Sequence, residues 1–446
     1  ELMRVVANLP RGLVVLPGFD WDSDEEAWSN IDDAHPQWAM RDFVEGSGVS
    51  RADVKPWPDS AEKGDGRPRR RLIAEALRPA HSTADWMQRI DNLRATNGED
   101  FFARGLNGLT LIEADDHLSE ARVCALMLRE VLDTPGKTGV LVTPDRDLAR
   151  RVSVEMARFG VRLDDSGGQA LTETRAAALL LRTLDVALNP GSVVALSSMW
   201  GSPLFCLGRD RGLVHTLMGK LESEALRGSR PGRSFAAIMA RLDGKHVKLF
   251  DDDRAEIEEM LRDLDAAMQP LQDADQHSVA HWAEVHIRAV EAVAASRDVP
   301  GDANLWAGVG GEACASLLRD LLTETACLPD MTLSEYAAAF RELARARRVP
   351  PRIGVHPRLQ VLGPLEARLM SADQIILAGL NEGVWPAGIG ADPWLSRGMR
   401  ESVGLGAPER RHGLAAHDFA QLAASGDVCM TRAAKVDGAP TGASRW

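Results

Sequence analysis

Long apolar runs are missing from this sequence. No stretch of roughly eighteen or more apolar residues occurs, so no membrane-spanning helix is indicated. No basic n-region followed by an apolar core marks a signal peptide either, and a cytoplasmic setting is the expectation. Cysteine is scarce. The five cysteines are Cys124, Cys206, Cys314, Cys327 and Cys429; none shows CxxC spacing and each is flanked by apolar residues. That argues against a disulfide framework or metal cluster and predicts small buried hydrophobes in a reducing compartment. Positive charge is outnumbered, with 52 Lys and Arg against 65 Asp and Glu and a net charge of −13. This counts against a protein that coats itself in positive charge to hold nucleic acid, while leaving room for a local basic channel. The basic runs RPRRR at 67–71 and RARRVPPR at 345–352 are either phosphate contacts or solvated ends of elements.

Motifs of independent chemistry are equally sparse. Gly136-Lys137-Thr138 forms the tail of a phosphate loop, but Val131 stands where the loop needs its first glycine. The segment also follows a helical stretch and precedes a strand-like one. That reverses the strand–loop–helix order that aims free backbone N–H groups at phosphate, so a helix-to-strand turn is expected. A PD-(D/E)xK nuclease holds Mg²⁺ with carboxylates at a strand end and a lysine two residues on. Asp53-Val54-Lys55 and Asp243-Gly244-Lys245 match only its last fragment. Asp251, Asp252 and Asp253 precede a helical stretch and are expected to cap it and offset its dipole. No GxSxG or HExxH motif occurs. His277, His281 and His286 fall on one predicted helix without further ligands nearby, and read as a solvated face.

What is present is alternation. Residues 12–18 (GLVVLPG) read as a buried strand ending in a Pro-Gly turn, and 36–45 and 82–96 as helices. A strand follows at 109–114, then a helix at 118–132 with Leu118, Ala121, Ala125, Leu128 and Val131 on one stripe. Residues 139–144 predict a strand, 147–159 a helix and 161–165 a short strand. Such alternation argues for a parallel sheet. Between about 171 and 347 strand signals nearly vanish. Helical periodicity runs through 171–188, 211–226, 233–242, 253–268, 276–296, 312–326 and 332–347. Strand patterns return at 358–362, 375–380 and 428–431. The expected fold is α/β, a parallel sheet interrupted by a large all-α block. At 446 residues and 45% hydrophobic, the chain can bury the cores of about two to four domains. Its start at Glu1 and its end at Trp446 read as internal to a longer protein.

The residues from 354 onward carry a resemblance. Gly363-Pro364-Leu365-Glu366-Ala367, followed by the strand at 374–380, is similar to motif V of superfamily 1 helicases. Val428-Cys429-Met430-Thr431-Arg432-Ala433 is similar to motif VI. HPRLQVLGPLEARLMSADQIILAGLNEGVWP, DPWLSRGMRESVGLGAPERR and TRAAKVDGAPTGASRW together resemble the AddB family, the helicase-like subunits of AddAB helicase–nucleases. VLVTPDRDLARRVSVEMARFGVRLDDSGG and LPRGLVVLPGFD extend the likeness over essentially the whole chain.

The resemblance implies a RecA-like domain of superfamily 1 helicase type with an inserted helical subdomain. Its boundaries would be 1–108 for the end of a first helicase-like domain and a connecting segment, 109–190 and 351–446 for the two parts of the second RecA-like domain, and 191–350 for the insertion. It implies a part in recombinational repair of DNA double-strand breaks, beside an AddA-like subunit that supplies the motor. ATP with Mg²⁺ and an iron–sulfur cluster are implied for the full complex and no cofactor for this segment. Arg432 matches the motif VI arginine that reaches a γ-phosphate; the alternative is a structural ion pair. Glu366 matches the motif V acid, but the His and Lys of that motif's lead-in are absent. Trp385, Trp394 and Arg368 are candidate DNA contacts, the tryptophans either stacking on bases or packing in the core. The expected role is a motor-inactive scaffold and DNA-binding segment. Its rivals are an active ATP-dependent helicase segment and a protein-interaction module that never meets DNA.

Overall fold

The computed structural model describes residues 2–57, 66–79, 86–228, 232–244, 247–349, 355–388, 390 and 392–446. The chain divides into two compact units, residues 1–167 with 353–446, and residues 168–352. In chain order the strands are β1 (Leu109–Ala114), β2 (Gly139–Val142), β3 (Asp164–Asp165), β4 (Gln169–Ala170), β5 (Arg348–Val349), β6 (Leu359–Leu362), β7 (Gln374–Leu377), β8 (Asp427–Ala433), β9 (Lys435–Val436) and β10 (Ala439–Pro440).

The first unit is built on a six-stranded sheet in the order β1-β8-β7-β2-β6-β3, with every neighbouring pair parallel. A chain that goes from β1 to β2 and on to β3 moves one way along that order. From β6 to β7 to β8 it moves back. Right-handed crossovers therefore send the connecting helices to opposite faces. Helices His117–Asp133 and Arg146–Arg158 share one face, where Cys124, Leu128, Val152 and Met156 meet Leu141, Val361 and Ile376 of the sheet. Helix Arg410–Ala423 takes the other, packing Phe419, Leu422 and Ala423 against Val140, Val142, Ile375 and Leu377. The alternation of Val140, Leu141 and Val142 between two cores is the period-two pleat of a strand covered on both sides.

Each helix on the first face starts on a side-chain cap. Asp116 accepts from the amides of Leu118 and Ser119 at 3.0 and 2.7 Å, and Asp145 from Asp147 and Leu148 at 2.9 and 3.0 Å. Such caps satisfy donors that the first helical turn leaves free. Helix His117–Asp133 buries Ala121, Ala125, Leu128 and Val131 of the expected stripe, with one exception at its start. Leu118 is exposed, and Glu120 joins Ala121, Cys124, Ala125, Leu128 and Val131 in the buried row.

Residues 12–18 do not form the expected strand. Residues 12–16 belong to no strand or helix and 17–18 form a turn, with Leu13 and Val15 exposed. An apolar run becomes a strand only if a neighbour accepts its hydrogen bonds, and this one has none among the described residues. A small core of Phe19, Trp28, Ile31 and Val44 gathers the segment around it.

The second unit holds helices Arg175–Leu188, Val193–Trp200, Arg211–Leu221, Phe235–Leu242, Asp251–Met268, Val279–Ala294, Gly301–Leu305, Gly308–Thr323 and Leu333–Ala346. Helices at 193–200 and 301–305 add to those expected. Trp282, Tyr336, Phe340, Phe205 and Phe235 are fully buried in its core. β4 and β5 pair antiparallel, Gln169 opposite Val349, next to the two ends of the unit.

Several expectations are corrected here. Cys327 is exposed, while the other four cysteines are buried. His286 is fully buried, bonding Leu180 O at 3.0 Å and Tyr336 Oη at 3.2 Å, and burial pushes its pKa down to about 4. His277 lies ahead of the helix and pairs with Asp273 at 2.9 Å. The three aspartates form the first turn of helix Asp251–Met268, where they oppose its dipole. The cap position is Phe250, and no side chain caps the helix among the described residues.

Among the basic runs, Arg69 is buried and donates to the carbonyls of Gly105, Asn107, Ser425 and Gly426, so it is neither a phosphate contact nor a solvated end. Arg345 and Arg347 pair with Glu342 and Asp320. Residues 350–352 and Lys245 lie outside the described residues. Among the described residues no helix is long and apolar enough to cross a membrane.

Candidate functional site

In an open parallel sheet, ligand chemistry gathers beyond the carboxyl ends of the strands, where crossovers diverge to opposite faces. Here those ends bring together the β1–helix turn, Thr143, the loop after β7 and the last residues of β8. Their centre is Glu120, only 2% exposed. Its Oε1 accepts from the Thr431 hydroxyl at 2.7 Å and from the Gly379 amide at 2.9 Å. The Thr431 proton is spent on Glu120, so the Cys124 thiol, 3.6 Å away, is the donor in its contact with Thr431 Oγ1. Burial raises the Glu120 pKa. The Thr431 and Gly379 bonds oppose the rise, nearby Asp145 adds to it and Arg432 opposes it. Burial likewise pushes the Cys124 thiol well up, which keeps it protonated and unreactive.

Gly379 has φ +79°, and a Cβ there would stand 3.3 Å from Thr143 Oγ1. Glycine is the residue that lets the backbone turn its N–H toward Glu120 at this point. Two residues on, Asn381 clasps the end of β8. Its Nδ2 donates to Ala433 O and Thr441 Oγ1, both at 2.6 Å, and its Oδ1 accepts from Ala433 N at 3.2 Å.

Arg432 stands opposite Glu113 in the β1–β8 register and forms an ion pair with it, while Nη2 donates to Thr441 O at 2.8 Å. Its Nε is buried, with no hydrogen-bond partner among the described residues. The structural ion pair is the state observed for this arginine. Glu366 is exposed and accepts from Gly363 N at 2.7 Å, closing its own turn. Arg368 makes a two-pronged bond to the buried Asp418 at 2.6 and 3.0 Å. Trp385 is 1% exposed and packs edge-on against Phe419, so it offers no face to a base. Arg368 and Trp385 thus meet adjacent residues of one helix, as supports of the core. Trp394 is 85% exposed. Its turn is fixed by Asp392, which accepts from the amides of Trp394 and Leu395 at 2.9 and 3.1 Å and pairs with Arg400.

The Gly136-Lys137-Thr138 segment is the helix-to-strand turn expected, closed by Lys137 N to Thr134 O at 3.3 Å. It precedes β2 and therefore lies at the amino edge, with Asp373 before β7 and Asp427 at the start of β8. Asp373 accepts from both the amide and the hydroxyl of Thr138 at 2.8 Å. These groups do not fit a bound nucleotide with Mg²⁺. Among the described residues no three of His, Cys, Asp and Glu converge as metal ligands, so the cysteines do not fit an iron–sulfur cluster.

The sequence reading missed Glu120, Thr431, Asn381 and Thr441. One signal pointed to the first: Glu120 shares the row 120, 124, 128, 131 with three buried apolar residues. No family model matches this sequence, and no curated protein matches it. The chain is an α/β protein with an all-parallel central sheet.

Proposed function

We propose that the chain is a helicase-like, motor-inactive segment of an AddAB-type helicase–nuclease, acting as scaffold and DNA-channel wall in recombinational repair of double-strand breaks. On this reading the α/β unit is a RecA-like domain of superfamily 1 type, and the helical unit is its inserted subdomain. The supporting observation is the closed state of the carboxyl edge. Arg432 is taken up by Glu113 and Thr441, and Glu120 by Thr431 and Gly379. A motor needs such groups free to answer a nucleotide; here they tie strands to loops. ATP hydrolysis then belongs to an AddA-like partner, and iron–sulfur chemistry to other parts of the complex.

DNA contact falls to Trp394, exposed on a turn that Asp392 holds in shape. An exposed indole on a fixed turn gives unpaired bases a stacking face at low ordering cost. Anisotropy titration of a labelled single-stranded oligonucleotide tests this. Binding should weaken as salt rises, and Trp394→Ala should weaken it by about tenfold. Absence of salt-dependent binding would favour a module that meets only protein, the reading to which the −13 charge lends weight. DNA-stimulated ATP hydrolysis lost on Lys137→Ala would establish an active motor instead.

A further inference from the structure

The α/β unit also holds an apolar recess that shares no residue with the carboxyl edge. Its walls are the turn at residues 18–20, residues 35–37, helix Gly66–Ala76 with Leu77, and helix Arg410–Ala423 with Ala424. Its volume is about 70 Å³. A single water needs roughly 10–15 Å³ on that measure, so the space suits a body of about five to seven heavy atoms. Phe19, Ile73, Leu77 and Ala420 give it an apolar lining.

The polar groups around the recess are already satisfied. Gln37 donates to Gly18 O at 2.7 Å and accepts from Asp20 N at 3.1 Å. Gln421 donates to Pro17 O at 2.9 Å and meets His417. His35 accepts from Gln37 N at 3.1 Å, and burial pushes its pKa down to about 4, so it is neutral near pH 7. Burial lowers His417 as well. The Asp20 carboxylate turns onto its own loop, accepting from Asp22 N at 2.8 Å, Ser23 N at 3.2 Å and the Ser23 hydroxyl. Arg70 differs. It lines the recess, its residue is exposed, and among the described residues no hydrogen bond or ion pair engages its guanidinium. An apolar slot beside an unengaged guanidinium selects a particular chemistry, an apolar tail ending in a carboxylate.

We propose that this recess binds a small aliphatic carboxylate, its branched tail against Phe19, Ile73 and Leu77 and its carboxylate on Arg70. Isovalerate, with a four-carbon tail, is the probe. Calorimetric titration of the whole chain should give one saturable site with Kd on the order of 1 mM. Acetate lacks the tail and 3-methylbutan-1-ol lacks the charge; each should bind at least about tenfold more weakly. Arg70→Ala should weaken isovalerate by about tenfold or more without shifting Tm, and Arg70→Lys should restore part of the loss. Ala74→Leu, which fills the recess, should abolish binding. No saturable binding up to about 20 mM would overturn the proposal. So would equal affinity in wild type and Arg70→Ala, or acetate binding as tightly as isovalerate.

Discussion

Glu120 shows how a single buried acid is kept in a fold. Two donors, a hydroxyl and a backbone amide, converge on one oxygen. Removing the acceptor leaves both unsatisfied, so Glu120→Ala should cost about 2–4 kcal/mol in urea unfolding. Glu120→Gln keeps an oxygen that can accept from both and should stay within about 1 kcal/mol. The two also separate by pH. The folded-state pKa of Glu120 is raised above its ordinary 4.5, so the folded chain holds the proton more tightly than the unfolded chain. Its stabilising share is full below pH 4.5 and is lost as pH rises through the folded value. Stability of the wild type relative to Glu120→Gln should therefore fall across that window, and parallel pH series of urea melts would read it. Arg432 makes a complementary point about what can be read in advance. Its place at a strand end was legible from the residues around it. Its partner Glu113 was not, because the two lie 319 positions apart and meet only through the pairing of β1 with β8.

At the scale of elements, the strands of the sheet were legible for a definite reason. A parallel strand covered on both faces shows a short unbroken apolar run, as GVLV at 139–142 and IIL at 375–377 do. The same signal misled at residues 12–18, since pairing is a property of the neighbour and not of the run. The hairpin of β9 and β10 rests instead on local chemistry. Asp437 at φ 49° and Gly438 at φ 81° supply the two left-handed residues of a tight two-residue turn. Gly438→Val puts a β-branched residue where that backbone disfavours it, at a cost of about 1–2 kcal/mol. The expected result is loss of amide-exchange protection at residues 435–439, with the β7 and β2 amides unchanged.

At the scale of the whole molecule, the division into two units follows from where apolar residues found partners. Helical periodicity predicted most helices of residues 168–352. It could not show that Trp282, Tyr336 and Phe340 would share a core, or that His286 would be sealed among them against Leu180 O. A core that size predicts independent folding. Residues 168–352 expressed alone should unfold in one cooperative transition, with near-ultraviolet dichroism from Trp282 lost in the same step. A non-cooperative melt would show that the unit depends on the rest of the chain. The pairing of β4 with β5 carries a further consequence. Because Gln169 and Val349 face each other, the chain departs from and rejoins its neighbours at almost one point. A segment tethered that way is a cassette: it can lengthen, shorten or be exchanged over generations while the strand order of the sheet stays as it is. Length variation among descendants of such a chain should collect between those two rungs.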